Sequence, residues 1–299
     1  MDYPEHGHDP VMLDETMAAL ALAPGTVAVD CTVGRGGHAA EMARRIAPDG
    51  QLLALDADPV NLAFARDRLR GGPAPARFFH ANFSEVSAVL AEIGQRKVDA
   101  LLADLGVSTN QLLDSQRGMS FTGNAPLDMR LDPDQGESAA DLLAHLSEEQ
   151  LADIFFHHAQ ERYARRIARK IVQTRAREPI RTTEQLVRII RSATPGDYQH
   201  QRLDPATRTF QGLRMAVNAE PDHLRALLKA IPAVMQPGGR VAIISFHSGE
   251  DRLVKQAMRG WAQEGRGTEQ FRKPREAAEP EVARNPRSRS AKLRAFTMQ

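Results

Sequence analysis

A glycine-rich segment flanked by acids carries the clearest chemical signal in the chain. Residues 30–38 read Asp-Cys-Thr-Val-Gly-Arg-Gly-Gly-His, and Asp56 follows 22 residues after Gly34. Glycines let the backbone approach a ligand closely, and the N-terminus of a following helix presents free N–H groups. A carboxylate at the position of Asp56 can accept hydrogen bonds from both ribose hydroxyls of an adenosine. The segment therefore predicts a ligand that contains adenosine.

The glycine spacing bears on whether that ligand carries phosphates. Gly34-x-Gly36-Gly37 departs from the Gly-x-Gly-x-x-Gly spacing that holds a dinucleotide pyrophosphate. A ligand without phosphates fits better, so we expect S-adenosylmethionine, with Asp30 facing its ammonium group. Two alternatives stay open, because NAD enzymes also combine a glycine loop with an acid, and the glycines could serve only a tight turn.

Two more residues follow apolar runs in the same way. Phe83 could pack on an adenine ring, and the alternative is an ordinary core phenylalanine. Asp104 ends the run Val98–Ala103 and is followed by a loop. Ligands of open α/β sheets gather at the carboxyl ends of the strands, so Asp104 is a candidate for the same site, with a simple capping role as the alternative.

The elements that must position these residues alternate through the first hundred positions. The apolar runs are Val27–Val29, Leu52–Leu55, Arg77–His80 and Val98–Ala103. The segments with helical spacing are Ala39–Ile46, Pro59–Leu69 and Ser84–Ile93. Asp58 is a natural N-cap ahead of Pro59. Alternation of this kind predicts βαβ units and a parallel sheet.

The alternation stops between residues 105 and 215, where no convincing buried strand is found. Ser147 and Gln150 predict a capping box. The apolar spacing from Ile154 to Val172 predicts one long helix, and Thr183–Ile190 predicts another. The interruption predicts a helical insertion in an open α/β sheet.

Sheet patterns return near the end of the chain. Pro237-Gly238-Gly239 predicts a turn, and Arg240–Phe246 predicts an apolar strand. The basic tail after Gly265 is predicted to be loop, apart from a last strand at Lys292–Thr297.

Composition excludes a disordered chain, a collagen and a small disulfide-bonded scaffold. The chain has 299 residues, 42% of them apolar and 26% charged, as in a globular protein of about two domains. Its one cysteine, Cys31, cannot form an internal disulfide, which favours a reducing, cytoplasmic location. The polar N-terminus does not resemble a signal peptide, and no apolar run approaches a membrane span, so we expect no membrane partner.

The near-zero net charge hides a division along the chain. Residues 1–160 hold 11 basic and 24 acidic side chains, whereas residues 161–299 hold 28 basic and 14 acidic ones. Such asymmetry indicates a nucleic-acid partner, although two charged surfaces could also serve solubility alone.

Along almost its whole length the chain resembles a known family, that of ribosomal RNA small subunit methyltransferase H, the 16S rRNA cytosine-N4 methyltransferases. The segments that carry the resemblance occur in one order along the chain: His8–Glu15, Asp30–His38, Asp104–Ser108 with Gln111, Arg117–Phe121, Pro126–Arg130, Glu161-Arg162 with Arg166–Arg169, Thr207–Arg214, Ser245–Ser248 with Glu250–Arg252, and Asn285–Arg294.

The resemblance implies an α/β fold with a Rossmann-like S-adenosylmethionine-dependent methyltransferase core and a helical insertion domain. It implies a core at 1–108 and 216–299, the latter with the basic tail, and an insertion at 109–215 that recognises the substrate. It also implies transfer of a methyl group to the N4 amino group of a cytidine in the decoding centre of the small ribosomal subunit. By motif match, the cofactor contacts are Gly36, Gly37, His38, Asp56, Phe83, Asp104 and Gln111.

The sequence departs from the family pattern at a few positions. Cys31 stands where the family often has glycine, and Gly249 where it usually has leucine. Residues 157–160 read His-His-Ala-Gln where a Tyr-Gly-Glu pattern is more usual. These departures concern local packing more than activity.

A cytosine amino group is a poor nucleophile, so an acceptor for its N–H would help the transfer. Asp104 is the first candidate, and Asp128 and His247 are the others. Asp128 could instead form a structural ion pair with Arg130, and His247 could be a hydrogen-bonded histidine at a strand end. We expect no bound metal, because neither His6 and His8 nor His157 and His158 have a zinc-site spacing.

Two basic segments are candidates for RNA contact. Residues 161–191 hold ten basic and three acidic side chains, and residues 272–294 hold eight and three. A solvated surface is the alternative for both. The rival functions are a DNA amino methyltransferase, against which the missing Pro-Pro-aromatic loop counts, and a non-catalytic RNA-binding assembly factor. Monomer and homodimer both remain open.

Overall fold

The computed structural model describes residues 10–199 and 204–299. By backbone contacts the chain divides into two compact units, one formed by Met1–Gly106 with Pro221–Gln299 and the other by Val107–Glu220. His6 and His8, for which we expected no metal, lie outside the described residues.

The first unit is built on one sheet. Its strands are β1 (Val27–Asp30), β2 (Gln51–Asp56), β3 (Ala76–His80), β4 (Val98–Asp104), β5 (Met235–Ser245), β6 (Gly267–Glu269), β7 (Arg275–Glu276) and β8 (Lys292–Met298). The strand order is β3-β2-β1-β4-β5-β8-β6, with β7 pairing with β8. The first five strands run parallel and β8 runs antiparallel to β5. The predicted parallel sheet is therefore confirmed, and the order reverses direction at β1, where ligands of such sheets bind.

Helices occur in both units. In chain order they are α1 (Leu13–Leu20), α2 (Gly37–Ile46), α3 (Pro59–Arg68), α4 (Val86–Glu92), α5 (Thr109–Leu113), α6 (Ala139–His145), α7 (Glu148–Asp153), α8 (Ala164–Arg175), α9 (Thr183–Ala193), α10 (Gly196–Gln199), α11 (Ala206–Val217), α12 (Glu220–Val234), α13 (Ser248–Gln263) and α14 (Glu279–Arg284). Asp58 caps α3 as predicted, its carboxylate accepting from the N–H of Val60 at 2.9 Å.

Both faces of the sheet are buried, as the continuous apolar runs of its central strands require. Alternate side chains of β1 belong to two separate apolar clusters: Ala28 packs with residues of α1, α2 and α3, and Val29 packs with residues of α4, α12 and α13. Helices thus cover the sheet on its two sides. Because β1 to β5 run parallel, their carboxyl ends lie at one common edge.

Two predictions about the last part of the chain are wrong. Pro237-Gly238-Gly239 was predicted to be a turn that precedes the strand. It lies instead inside β5, where it forms a bulge between the residue pairs Val98–Met235 and Ala100–Arg240. The tail is not mainly loop, because it contains β6, β7 and α14. A buried ion pair fixes it, with Arg294 Nε of β8 lying 2.7 Å from Asp251 Oδ1 of α13.

The second unit is helical, and a third apolar cluster fills its interior. The capping box of Ser147 and Gln150 and the helix at Thr183–Ile190 are confirmed. The single long helix predicted from Ile154 to Val172 is wrong. A π-helical turn at Ile154–His158 ends the first part, and Gln160 adopts a left-handed φ of 53° before α8 begins at Ala164.

Within residues 10–199 and 204–299, none of the helices has both the length and the apolar character that crossing a bilayer needs.

Candidate functional site

Three carboxylates meet at the carboxyl edge of the sheet in the first unit. Asp30, Asp56 and Asp104 are the last residues of β1, β2 and β4, which are neighbours in the sheet. Asp30 pairs in register with Ala54 and Leu102, so Asp56 and Asp104 stand two residues further along their strands. The predicted gathering of these acids at one edge is what the strand order produces.

Asp30 is the most deeply buried of the three, with 1% of its surface exposed. Its Oδ1 accepts from the N–H of Thr32 at 3.1 Å, while its Oδ2 is buried without a hydrogen bond. Burial raises the pKa of Asp30 to about 7, and the charge of Asp56 adds to the rise. Near neutral pH this carboxyl group therefore holds a proton for part of the time.

Asp104 is hydrogen-bonded through its backbone N–H, whereas one oxygen of its carboxyl group has no hydrogen bond. Its N–H donates to Thr32 Oγ1 at 2.7 Å, and its Oδ1 is buried without a hydrogen bond. Burial raises the pKa of Asp104 well above the usual range, and the charges of Asp30 and Glu250 raise it further. Thr32 and Glu250 were not singled out from the sequence, although both lie in segments that carried the family resemblance.

His38 lies beside these acids but does not supply a positive charge to balance them. Its Nε2–H donates to the carbonyl oxygen of Val11 at 2.9 Å, which leaves Nδ1 unprotonated at 3.7 Å from Asp104 Oδ2. Burial lowers the pKa of His38 to about 4, so the ring is neutral at physiological pH. The acids at this edge therefore have no cation from His38.

The glycine loop approaches Asp56 through its backbone. Asp56 Oδ2 accepts from the N–H of Gly34 at 2.7 Å, and its Oδ1 accepts from the N–H of Asp58 at 2.8 Å. Burial raises the pKa of Asp56 to about 6, against these two hydrogen bonds. A carboxylate has about four acceptor positions, so Asp56 keeps acceptors for two further donors such as ribose hydroxyls.

The loop then enters α2 with little room for side chains. Gly36 has a φ of 79°, a left-handed conformation that glycine adopts freely. A Cβ on Gly37, the first residue of α2, would lie 3.2 Å from the ring of Pro10. The loop therefore presents backbone and not side chains at the start of the helix.

Phe83 follows β3 and its ring is held from one side. The His223 ring meets it edge-on, with ring centroids 6.3 Å apart. His223 Nδ1 lies 2.9 Å from Ser84 Oγ, which fixes the imidazole beside the phenylalanine. Sequence reasoning missed His223, because 139 residues separate it from Ser84 and no motif surrounds it.

His247 caps α13 in the first unit. Its Nδ1 accepts from the N–H of Glu250 at 3.4 Å, and Glu250 Oε2 accepts from the N–H of His247 at 3.3 Å, while His247 Nε2 is buried without a hydrogen bond. The histidine and the acid therefore form a reciprocal cap at the end of β5. This is the hydrogen-bonded strand-end histidine that the sequence left open as an alternative.

The residues of the first unit fit S-adenosylmethionine. The carboxyl edge concentrates acids, two of which carry buried oxygens without partners. A ligand with a sulfonium and an ammonium group supplies the cations that such acids require. Its ribose can use the remaining acceptors of Asp56, and its adenine can pack on Phe83.

The other predicted residues lie in the second unit. Gln111 is buried in α5, where its Oε1 accepts from the backbone and hydroxyl of Ser108 at 2.8 and 2.9 Å. Asp128 and Arg130 form a bidentate pair, with distances of 2.9 and 2.7 Å. Against partial burial, the Arg130 hydrogen bonds hold the pKa of Asp128 below its usual value. Asp128 is thus the ion-pair member that the sequence left as an alternative.

Comparison with known proteins agrees with this geometry. A model of the MraW methylase family matches residues 5–299. A ribosomal RNA small subunit methyltransferase H from Syntrophotalea carbinolica is 46% identical over 304 residues, covering 97% of each chain. The protein of the same name from Symbiobacterium thermophilum is 44% identical and covers 96% of this chain and 95% of its own. That from Sorangium cellulosum is 46% identical and covers 96% and 90%.

The motifs, the sheet order and the acidic edge thus agree with a match over nearly the full length. The enzyme uses S-adenosylmethionine, and the fold expected for such a methyltransferase is confirmed. The chain belongs to the MraW methylase family.

Proposed function

We propose that this enzyme transfers a methyl group from S-adenosylmethionine to the N4 amino group of a cytidine in 16S rRNA, within the decoding centre of the small ribosomal subunit. The names of the relatives support the ribosomal substrate. The observation that carries the proposal is the acidic strand edge, where Asp30 and Asp104 each keep a buried oxygen without a hydrogen-bond partner.

The cofactor would be held by residues of the first unit. Asp56 would accept from the ribose hydroxyls, Phe83 would pack on the adenine, and Asp30 would face the ammonium group. When bound, S-adenosylmethionine supplies an activated methyl group on a sulfonium. Gly36, Gly37 and His38 would shape the wall of the site, since their loop presents backbone at the start of α2. By motif match, Gln111 would also contact the cofactor.

Asp104 is our first candidate for the group that receives the substrate amine. Its side chain is 24% exposed while Oδ1 is buried, so the accessible oxygen is Oδ2, which can accept from an N–H of the cytosine amino group. Such a contact would hold the nitrogen in line and stabilise the positive charge that develops on it. Asp128 is already engaged by Arg130, which makes it a weaker candidate, whereas His247 keeps a buried Nε2 without a hydrogen bond and is our second candidate.

The insertion and the tail would contact RNA. Arginines grip phosphates bidentately and stack on bases, and α8 carries several exposed ones. The tail adds exposed Arg272 and Lys273. Reaching an amino group in structured RNA requires the base to be turned outward. A ribosomal substrate places the reaction in the cytoplasm, and the assembled subunit is the proposed form of that substrate.

A methyl-transfer assay tests the proposal. Small ribosomal subunits that lack the modification are incubated with the enzyme and methyl-labelled S-adenosylmethionine, and the label is mapped by nuclease digestion. One cytidine of 16S rRNA should be labelled when the subunits are the substrate, and a DNA duplex should take up no label. Transfer to DNA, or to no RNA at all, would contradict the proposal.

A variant of Asp104 tests the proposed acceptor in the same assay. Asp104→Ala should lower kcat by about 10²- to 10³-fold at saturating cofactor, the size expected when a group that stabilises developing charge is removed. Asp128→Asn and His247→Asn serve as comparisons. If either of these lost more activity than Asp104→Ala, the acceptor would have to be reassigned.

A further inference from the structure

The π-helical turn at Ile154–His158 exposes an aromatic ring. Phe155 is fully buried, whereas Phe156 is 56% exposed. The other large apolar side chains that are exposed among the described residues, Val60 and Leu113, are aliphatic. Single π-helical turns occur frequently at functional sites.

The turn that carries Phe156 is fixed on both sides. The N–H of Gln160 donates to the carbonyl oxygen of Phe156 at 2.9 Å, and the N–H of Glu161 donates to that of Phe155 at 3.0 Å. On the inner side, α11 packs so closely that a Cβ on Gly212 would lie 3.3 Å from the carbonyl oxygen of Ile154. A ring on such a turn loses little conformational freedom when it binds a partner.

Exposed arginines follow the turn along the chain. The guanidinium carbons of Arg162, which precedes α8, and of Arg166, within α8, lie 5.5 and 5.7 Å from the centroid of the Tyr163 ring, and Arg165 is exposed in α8. Because the backbones of Phe155 and Glu161 are hydrogen-bonded, the Cα atoms of Phe156 and Arg162 are within about 13 Å of one another. An arginine side chain spans much of that distance.

The acids of this region do not neutralise these arginines. Glu161 is buried, and its carboxylate accepts from the Tyr198 hydroxyl and the N–H of Tyr163. Asp153 lies 3.7 Å from His157 Nε2. Among residues 10–199 and 204–299, Arg162, Arg165 and Arg166 form no ion pair with an acid.

We propose that Phe156, together with Arg162, Arg165 and Arg166, forms a stacking site for an unpaired base of the RNA substrate. An exposed ring on the same segment as unneutralised arginines is a combination that binds single-stranded nucleic acid, since the ring stacks on a base and the arginines bind phosphates. The inference rests on the proposed function only in taking RNA as the substrate. Exposed aromatic and arginine side chains also occur in protein interfaces, so a protein contact is one outcome of the test.

Matched variants test the stacking site with a labelled single-stranded oligoribonucleotide of about 12 nucleotides, by fluorescence anisotropy at several salt concentrations. Phe156→Leu should lose about tenfold in affinity, and Phe156→Tyr should bind as the parent does. The Phe156→Leu loss should leave the slope of log K against log salt unchanged, whereas Arg165→Ala/Arg166→Ala should make it about 1.4 less steep. Far-UV circular dichroism and thermal unfolding check that each variant folds, and Val60→Ala is the control for loss of an exposed apolar side chain.

An independent readout uses Phe156→Trp. Its fluorescence should be quenched when the oligoribonucleotide stacks on the indole, against the background of the buried Trp261 measured in the parent. Parent-like RNA affinity in Phe156→Leu, or no quenching in Phe156→Trp, would overturn the proposal. So would a loss seen only with small ribosomal subunits and not with the oligoribonucleotide, because that result indicates a protein contact.

These outcomes are separable from the proposed function. If the enzyme methylated no RNA but the Phe156 variants still weakened RNA binding, the stacking site would stand and the methyl-transfer proposal would fall. The reverse result would retain methyl transfer and remove the stacking site.

Discussion

The buried carboxyl of Asp30 has little counter-charge within its own unit. A carboxylate away from water is costly unless it is paired, and here one oxygen has no partner while Asp56 and Asp104 lie close by. His38 cannot compensate, because it is neutral at physiological pH. A site with this surplus of acid is suited to a cationic ligand, and without that ligand its buried carboxylates lower the stability of the fold.

Cofactor binding should therefore depend on pH. The cationic cofactor favours ionised Asp30, whose pKa is raised to about 7 in the free protein, so binding releases a proton. Affinity for S-adenosylmethionine should rise by up to about tenfold per pH unit below 7 and level off above it. Calorimetry in two buffers of different ionisation enthalpy would count the protons. The exposed Glu92→Gln variant should keep this dependence, and Asp30→Asn should lose most of it.

The same residue should trade stability for function. A carboxyl whose folded pKa lies above its ordinary value binds its proton more tightly in the folded state, so it destabilises the fold as pH rises from about 4 to 7. Asp30→Asn keeps an acceptor for Thr32 and removes the charge. Without cofactor, it should raise the free energy of unfolding by about 1 to 3 kcal/mol at pH 8 and by much less at pH 4. Urea unfolding at the two pH values is the measurement, and an equal gain at both would contradict the assignment.

At the scale of elements, local patterns predicted what local forces determine. The four strands ending at Asp30, Asp56, His80 and Asp104, with the helices between them, follow from apolar runs and caps that lie within a few residues. The break between α7 and α8 does not, because the apolar spacing continues across it and a packed Gly212 from α11 holds the π turn in place. The contact of Ser84 with His223 could not be predicted from local sequence patterns either, because it joins residues that are far apart in the chain.

A glycine in the second unit gives a prediction at this scale. Gly118 has a φ of 61°, and a Cβ there would collide with the carbonyl oxygen of Pro126, next to the pair of Asp128 and Arg130. Gly118→Ala should lower the free energy of unfolding by about 2 to 4 kcal/mol, from the collision and the left-handed strain together. Gly136 has a φ of 69° and open space around it, so Gly136→Ala should lower the free energy of unfolding by only about 1 to 2 kcal/mol. Chemical denaturation compares them, and equal costs would mean that the collision is relieved.

At the scale of the whole molecule, the charge division along the chain does not coincide with the two units. Val107–Glu220 holds 15 basic and 15 acidic residues, and the other unit holds 24 and 23. Each unit is therefore close to neutral, and the acidic and basic stretches alternate within both. The sequence halves indicated a nucleic-acid partner, but neither unit has a large net positive charge, so we expect any attraction to phosphates to come from the local clusters on α8 and on the tail.

Salt dependence should reveal how those clusters share the phosphate contacts. Arg272→Ala/Lys273→Ala removes two exposed cations of the tail, and the pair Arg165→Ala/Arg166→Ala removes two from α8. If both clusters bind RNA, each variant should make the slope of log K against log salt about 1.4 less steep for a single strand, and all four substitutions about twice that. Arg96→Ala/Arg259→Ala removes two exposed cations outside the clusters and should leave the slope unchanged. Affinity for S-adenosylmethionine should change little in any of them, because its acids are buried and poorly screened. An effect of the control pair equal to that of the clusters would show that net charge, and not position, determines RNA binding.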